Sequence, residues 1–340
     1  MYEKLLTIIV PAYNSDWCLE KCLNSLVTAD INRIQIIIVN DGSTDNTPNI
    51  ADDFATRYPN SIMAVHKENG GHGSCINEAV PLAKGKYLKV IDSDDWVIGL
   101  DKYLDALEDA NADILLTHYT TVDMLDGERK EHKMQFVEFE KEYDLAEFST
   151  LPKESFRCLT FHGITHKTET YRESGVKLLE KTFYEDQQYV IEPFSKTKTI
   201  LPLDMFVYEY QIGNDSQSVS SQNQVKRIDQ HEAIIMHILN YYIEKKAEIS
   251  EGAQRIFQYK LAECLTDYYI IAMVKNPKKR EGRRIAKSLR LRIAVQDNDI
   301  VMRTNRKFRI VQLMNLFRIP MKAFDAFRWT ALYRFIRRFS

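Results

Sequence analysis

Four short apolar, β-rich runs, residues 5–10, 34–39, 62–65 and 87–91, each empty into a polar, Asp-rich or Gly-rich segment and alternate with stretches of helical periodicity. Short apolar runs bounded by turn-formers read as buried strands. Strands separated by helices need crossover connections, and crossovers imply a parallel sheet. The expected fold class is therefore α/β, a Rossmann-like, mostly parallel sheet flanked by helices. Ligands of such sheets gather at the carboxyl ends of the strands. The polar segments fall there: Asn14 after the first run, Asp41 after the second, residues 69–73 after the third, Asp92 and Asp94 after the fourth. No G-x-G-x-x-G or Walker loop follows the first run, which argues against a dinucleotide or a P-loop nucleotide.

The fourth run ends in Asp92, Ser93, Asp94 and Asp95, three carboxylates within four positions. Such carboxylates repel one another unless they are solvated or joined by a cation, and an all-oxygen set suits a hard ion such as Mg2+ or Mn2+. An acidic turn at a strand end can equally be a solvated loop or a helix N-cap.

Downstream, a helix is expected over 101–110, a strand over 114–118, and a hairpin or excursion over 126–147. Glu185 and Asp186 open a helix running through Ile191, residues 200–210 read as a final strand pair, and 211–221 as a polar loop. From about residue 224 the sequence turns helical, with segments 227–246, 253–275, 280–296 and two more divided at Pro320. The expected domains are 1–220, catalytic, and 221–340, a helical C-terminal region.

The formal net charge of −2 hides an asymmetry: residues 275–340 hold 19 Lys plus Arg against 4 Asp plus Glu. Five cysteines form an odd set without C-x-x-C spacing, and no signal-type segment precedes the first strand, so a reduced, cytoplasmic setting is expected. Cys18 and Cys22, four apart on an expected helix, read as a core stripe. No run of 18 apolar residues exists, so no membrane-spanning helix is expected.

The ordered segments TIIVPAYN, IIIVNDGSTDNT, ENGGHGSCINEA, VIDSDDW and FYEDQQY closely resemble the family 2 glycosyltransferases with the GT-A fold, over roughly residues 5–220. The resemblance implies inverting transfer of a sugar from a nucleotide diphosphate donor to an acceptor hydroxyl, assisted by Mn2+ or Mg2+. It assigns Asp94 to the metal and Asp92 to the metal or the ribose, with Ser93 beside them. It assigns Asp41 to the uracil edge, Pro11, Ala12, Tyr13 and Asn14 to the base pocket, and Asn69, Gly70 and Gly71 to the nucleotide border. Asp186 is the implied general base, and Glu185 positions the acceptor or the base.

Trp96, His162, Ser216, Gln217 and Ser218 are candidate acceptor or donor-sugar contacts; a core anchor or a satisfied structural histidine is the other reading for the first two. Gln211 stands where the resembling loop often carries arginine, and there is no Q-x-x-R-W motif of the processive synthases.

The basic tail interleaves its cations with Phe308, Leu313, Phe317, Phe324, Phe327, Trp329 and Phe335. Such an amphipathic stretch suits an anionic membrane surface, peripheral on the inner face of the cell membrane. Packing on protein, as a homodimer included, is the alternative. Nucleic acid is not an expected partner.

The expectation is a cytoplasmic UDP-sugar-dependent glycosyltransferase working on a glycan or lipid-linked acceptor in bacterial cell-wall or other surface polysaccharide synthesis. Two other classes fit a nucleotide-sugar site: a non-catalytic binding partner in a glycan-assembly complex, and a sugar nucleotidyltransferase.

Overall fold

The structure is a computed structural model and describes residues 3–27, 30–213 and 221–320. Its strands are β1 (Lys4–Ala12), β2 (Ile34–Asn40), β3 (Ile62–His66), β4 (Gly85–Val90), β5 (Trp96–Val97), β6 (Ile114–Asp123), β7 (Arg129–His132), β8 (Tyr143–Asp144), β9 (Ile164–Lys167) and β10 (Thr199–Ile212). They form one sheet of order β3-β2-β1-β4-β9-β6-β10-β5, with β7 on β6 and β8 on β10.

The expected parallel half is present: β1 to β4 pair parallel with one another, as β10 does with β6. The sheet as a whole is mixed, because β9 inserts antiparallel between β4 and β6, and β5, β7 and β8 also pair antiparallel.

Helices α1 (Leu19–Leu26), α2 (Thr47–Arg57), α3 (His72–Ala79) and α4 (Leu100–Asp109) follow the first strands. α1 folds onto the sheet because Leu19, Cys22, Leu23 and Leu26 repeat at i, i+3, i+4, i+7 and all four are buried. They join Leu6, Ile8 and Val10 of β1, Ile34, Ile36 and Ile38 of β2, and Tyr103, Leu104 and Leu107 of α4 in one apolar core. Each such side chain stabilises the fold by roughly 1.5–3 kcal/mol of transfer free energy. α3 packs on β1 and β2. With helices on both sides, β1 is buried from Leu6 to Ala12 and reads as a continuous apolar run.

Pro11 sits in this central strand without loss. Ile9 accepts from the Ile91 N–H, so Pro11, two residues on, faces the same side, where β4 has already ended at Val90. The strand end is thereby released from the ladder at the place where the site begins.

Short helices α5 (Leu145–Phe148), α6 (Thr168–Ser174) and α7 (Asp186–Ile191) complete this part of the chain. The expected strand pair over 200–210 is a single 14-residue strand, β10, which stays on β6 through two register shifts between Pro202 and Tyr208. It carries Gln211 and Ile212, so the expected loop starts later.

Helices α8 (Ser221–Lys226), α9 (Ile228–Lys245), α10 (Glu251–Ile270), α11 (Lys279–Gln296) and α12 (Asn298–Leu316) follow, with a π-helical turn at Ile271–Lys275. Gly282 in α11 allows close approach: a Cβ there would lie 1.8 Å from the Ala272 carbonyl oxygen of that turn. Asn315 of α12 donates to the Met273 carbonyl at 2.5 Å, satisfying an acceptor of the same turn.

By contact density the chain divides into Met1–Asp215 with Glu244–Phe257, and Ser216–Ile243 with Gln258–Ser340. All five cysteines are free and buried, Cys22 on the α1 stripe. Among the described residues no helix is long and apolar enough to cross a membrane.

Candidate active site

The carboxyl ends of β1, β2 and β4 meet the starts of α3 and α7. Asp41, just past β2, is buried, and its carboxylate organises the loop after β3: Oδ1 accepts from Lys67 Nζ at 2.8 Å and Gly70 N at 2.9 Å, and Oδ2 from Gly71 N at 2.8 Å. Asn69 Nδ2 donates to the Asp41 carbonyl at 3.0 Å. Gly71 has φ +85, a conformation L side chains rarely adopt, and lies against the Lys181 backbone, whose N–H donates to the Gly70 carbonyl at 2.6 Å. This contact carries the chain past α3 toward Glu185.

Pro11 and Ala12 pair with Val39 and Asn40 of β2. Tyr13 is 53% exposed, and Asn14, at φ +49, accepts from Thr44 N at 2.8 Å. These residues and Asp41 with its glycines border the same strand ends.

Asp92, Asp94 and Asp95 place carboxylate oxygens within 4.8 Å of one another. Asp95 is buried and bonded on both oxygens, accepting from Tyr208 Oη at 2.6 Å and Gln211 N at 2.7 Å. Burial, then the charges of Asp92 and Asp94, holds its pKa well above the ordinary carboxylate value. Tyr208 Oη also accepts from Asp92 N at 3.2 Å, so one phenol joins both ends of the acidic turn. Burial and the neighbouring Asp92 push Asp94 up to about 6. Ser93 Oγ lies 2.8 Å from Ser15 Oγ.

His72, the first residue of α3, joins this turn to α7. Its Nε2 lies 2.9 Å from Asp92 Oδ1 and its Nδ1 2.7 Å from Glu185 Oε1. Burial disfavours the imidazolium, but the bonds and charges of the two carboxylates outweigh it, and the His72 pKa stands well above the usual value. Burial likewise opposes the Asp92 carboxylate and is outweighed by His72, so Asp92 titrates below its usual range. Next to Glu185, Asp186 starts α7, and burial followed by the Glu185 charge pushes it up to about 6. Gln187 Nε2 donates to its Oδ2 at 3.0 Å.

His162 is packed into rings: Tyr210 stacks at 4.1 Å and Tyr119 at 5.1 Å, with Phe161 and Tyr208 edge-on. Burial pulls its pKa down to about 4, so it is a neutral ring at physiological pH. Lys89, buried in β4, donates to the His162 and Ile164 carbonyls at 2.9 and 3.1 Å and fixes that segment; burial lowers its pKa to about 7. Trp96 stands on β5 under the Lys21 ammonium, 3.1 Å from the ring centroid, a placement that anchors β5 to α1. Ser216, Gln217 and Ser218 lie outside the described residues.

The oxygen set fits a hard divalent cation. Tyr208 and Gln211 each bond one oxygen of Asp95 and His72 one oxygen of Asp92, which makes Asp94 and the second Asp92 oxygen the less committed hard donors of the set.

Sequence reasoning passed over His72, Lys67 and Tyr208. A histidine between two glycine turns at a helix start is a signal that could have flagged His72. Lys67 and Tyr208 act through contacts 26 and 113 positions away, for which a single sequence holds no local sign.

Comparison with known proteins bears on the family and the fold. The model of the family Glycosyl transferase family 2 matches residues 7–169. Glycosyltransferase GlyA of Streptococcus pneumoniae is 28% identical over 230 residues, 64% of this chain and 32% of the relative. Poly(ribitol-phosphate) beta-glucosyltransferase of Bacillus spizizenii is 27% identical over 226 residues, 63% of this chain and 33% of the relative. The chain thus spans about a third of the length of these curated relatives. Among solved structures, S. aureus TarS 1–349 in complex with UDP-GlcNAc superposes with a TM-score of 0.55 at 20% identity, covering 91% of each chain, which bears on the fold. The family match spans the acidic strand end and most of the sheet that carries it, so residues 7–169 form a glycosyl transferase family 2 domain within a GT-A-like fold.

Proposed function

We propose that the domain is a metal-dependent, inverting glycosyltransferase that moves a sugar from a UDP-sugar to an acceptor hydroxyl in bacterial surface-polysaccharide synthesis. The observation that carries this reading is the convergence of the acidic strand end and the Glu185–Asp186 helix start on His72. Donor-side and acceptor-side carboxylates thereby share one hydrogen-bonded unit. A relative named as a poly(ribitol-phosphate) beta-glucosyltransferase and a structural neighbour in complex with UDP-GlcNAc support the acceptor and donor classes.

In this reading Asp94 and Asp92 would hold a divalent ion, which would supply positive charge against the departing diphosphate. Asp41 keeps one lone pair on Oδ2 for the uracil ring N–H while its other bonds shape the pocket through Gly70 and Gly71. Asp186 takes the proton of the acceptor hydroxyl, and Glu185, tied to His72, sets where Asp186 stands.

The test is a donor screen: UDP-, GDP- and dTDP-sugars with Mn2+ or Mg2+, read by free nucleoside diphosphate, with and without lipid-linked acceptors. Metal-dependent release from a UDP-sugar is expected. Binding without release under every acceptor would identify a non-catalytic module, and pyrophosphate from a nucleoside triphosphate plus sugar phosphate would identify a nucleotidyltransferase.

The C-terminal helices support a placement at a membrane surface. α11 and α12 expose Leu291, Val295, Met302, Leu313, Leu316 and Phe317 beside exposed Arg284, Lys287, Arg303, Arg306 and Arg309. Apolar side chains among cations suit the headgroup region of an anionic bilayer, on the cytoplasmic side, where five free thiols are at home. The protein is expected to sediment with phosphatidylglycerol vesicles, less so as salt rises, and not with phosphatidylcholine vesicles. Absence of sedimentation with either, together with a dimeric mass in solution, would make a second copy the occupant of this face.

A further inference from the structure

We propose that His72 is a positioning residue that ties Asp92, on the donor side, to Glu185, on the acceptor side, and so fixes the start of α7, with Asp186, against the acidic strand end. The proposal rests on the transferase reading above. Both ring nitrogens lie within hydrogen-bond distance of a carboxylate oxygen, at 2.9 and 2.7 Å. The imidazole thus stands between two carboxylates and meets each of them through a different ring nitrogen.

The surroundings hold this bridge in place. The His72 side chain is 29% exposed and that of Glu185 5%, and the Phe161 ring lies 5.8 Å from the imidazole. Gly73, directly after it, sits where a Cβ would meet the Leu179 carbonyl oxygen at 2.6 Å, so α3 and the 178–181 segment are in backbone contact. Asn77 reinforces the contact from the next turn, donating to the Leu178 carbonyl and accepting from the Leu178 N–H, both at 2.9 Å.

These main-chain contacts fix the approach of the segment up to Lys181. His72 extends the control to Glu185, and hence to the orientation of α7. A glutamine at 72 offers its donors from a single nitrogen and cannot reproduce a bridge that leaves the ring from opposite sides.

The test has two arms. In the first, ring-nitrogen spectra of the full 15N-labelled chain, assigned with His72→Gln, are recorded without metal or donor. Asp92→Asn is expected to shift the signal of one His72 ring nitrogen and Glu185→Gln that of the other. A ring nitrogen that neither substitution shifts would overturn the bridge.

The second arm is kinetic. His72→Gln is expected to lower kcat on the order of 10²-fold, as a displaced catalytic group does, with the donor KM within about threefold. Because both variants break the same bridge, adding Glu185→Gln to His72→Gln should cost little more than either alone. An unchanged kcat, a loss confined to KM, or additive losses would overturn the positioning role. Wild-type protein that releases no nucleoside diphosphate would overturn the transferase reading, and the spectra would still decide whether the bridge exists.

Discussion

Asp186→Asn is expected to bind the nucleotide-sugar donor as tightly as the wild type and to turn it over on the order of 10²- to 10⁴-fold more slowly. The substitution keeps the shape of the side chain and the bond to Gln187, and removes the ability to take a proton. With a pKa pushed up to about 6 by burial and by Glu185, Asp186 is a stronger base than an ordinary carboxylate and still ionised at neutral pH. Turnover should therefore fall as pH drops through about 6.

The sign for stability is opposite. A carboxyl whose folded pKa lies above its ordinary 3.8 makes the native state bind more protons between those values, so this group costs stability as pH rises through about 4 to 6. The asparagine variant escapes that cost, and its Tm at pH 7.5 should equal or exceed that of the wild type. Donor affinity by calorimetry, kcat and Tm on one preparation decide the matter. Wild-type turnover would remove Asp186 as the base, whereas a slow variant with a lower Tm would point to a structural defect.

The parallel half of the sheet was legible in the sequence because its strands carry short apolar runs that end in polar turns, as 36–39 does within the fully buried Ile34–Asn40. β9 was not, since Ile164–Lys167 is four residues long, mixes polar and apolar positions, and is a strand by virtue of the neighbours it pairs with. β10 was read as two pieces because Pro202 and Asp204 interrupt its pattern; the register shifts against β6 let it continue. In the site, the acidic turn and the Glu185–Asp186 step announce themselves by local density of charge. What joins them does not: the partners of His72 lie 20 and 113 positions away, and Gln211, conspicuous for a missing arginine, acts through its main-chain N–H. Contacts made by backbone groups, or by one side chain across the fold, do not name their partners in the sequence.

Asp94→Asn is expected to abolish both metal-dependent turnover and metal-dependent stabilisation. Three carboxylates within 4.8 Å repel one another, and the strain is visible in Asp94, which burial and Asp92 push up to about 6. A divalent cation relieves that repulsion, so it should bind the native state and raise its stability by RT ln(1 + [L]/Kd), about 2.7 kcal/mol at a hundredfold excess over Kd. Mn2+ titrated into the wild type should accordingly raise Tm, and the gain should shrink as pH falls through about 6, where Asp94 takes a proton in competition with the ion. The asparagine variant, with a weaker and neutral donor, should show no rise at any pH while keeping the metal-free Tm. Asp95→Asn gives the contrast: it weakens the bonds to Tyr208 and Gln211, and should lower Tm even without metal. If Mn2+ raised Tm equally in wild type and Asp94→Asn, the ion would be held elsewhere and the assignment of Asp94 would fall. If Asp95→Asn alone lost the metal effect, the ligand would be Asp95 instead.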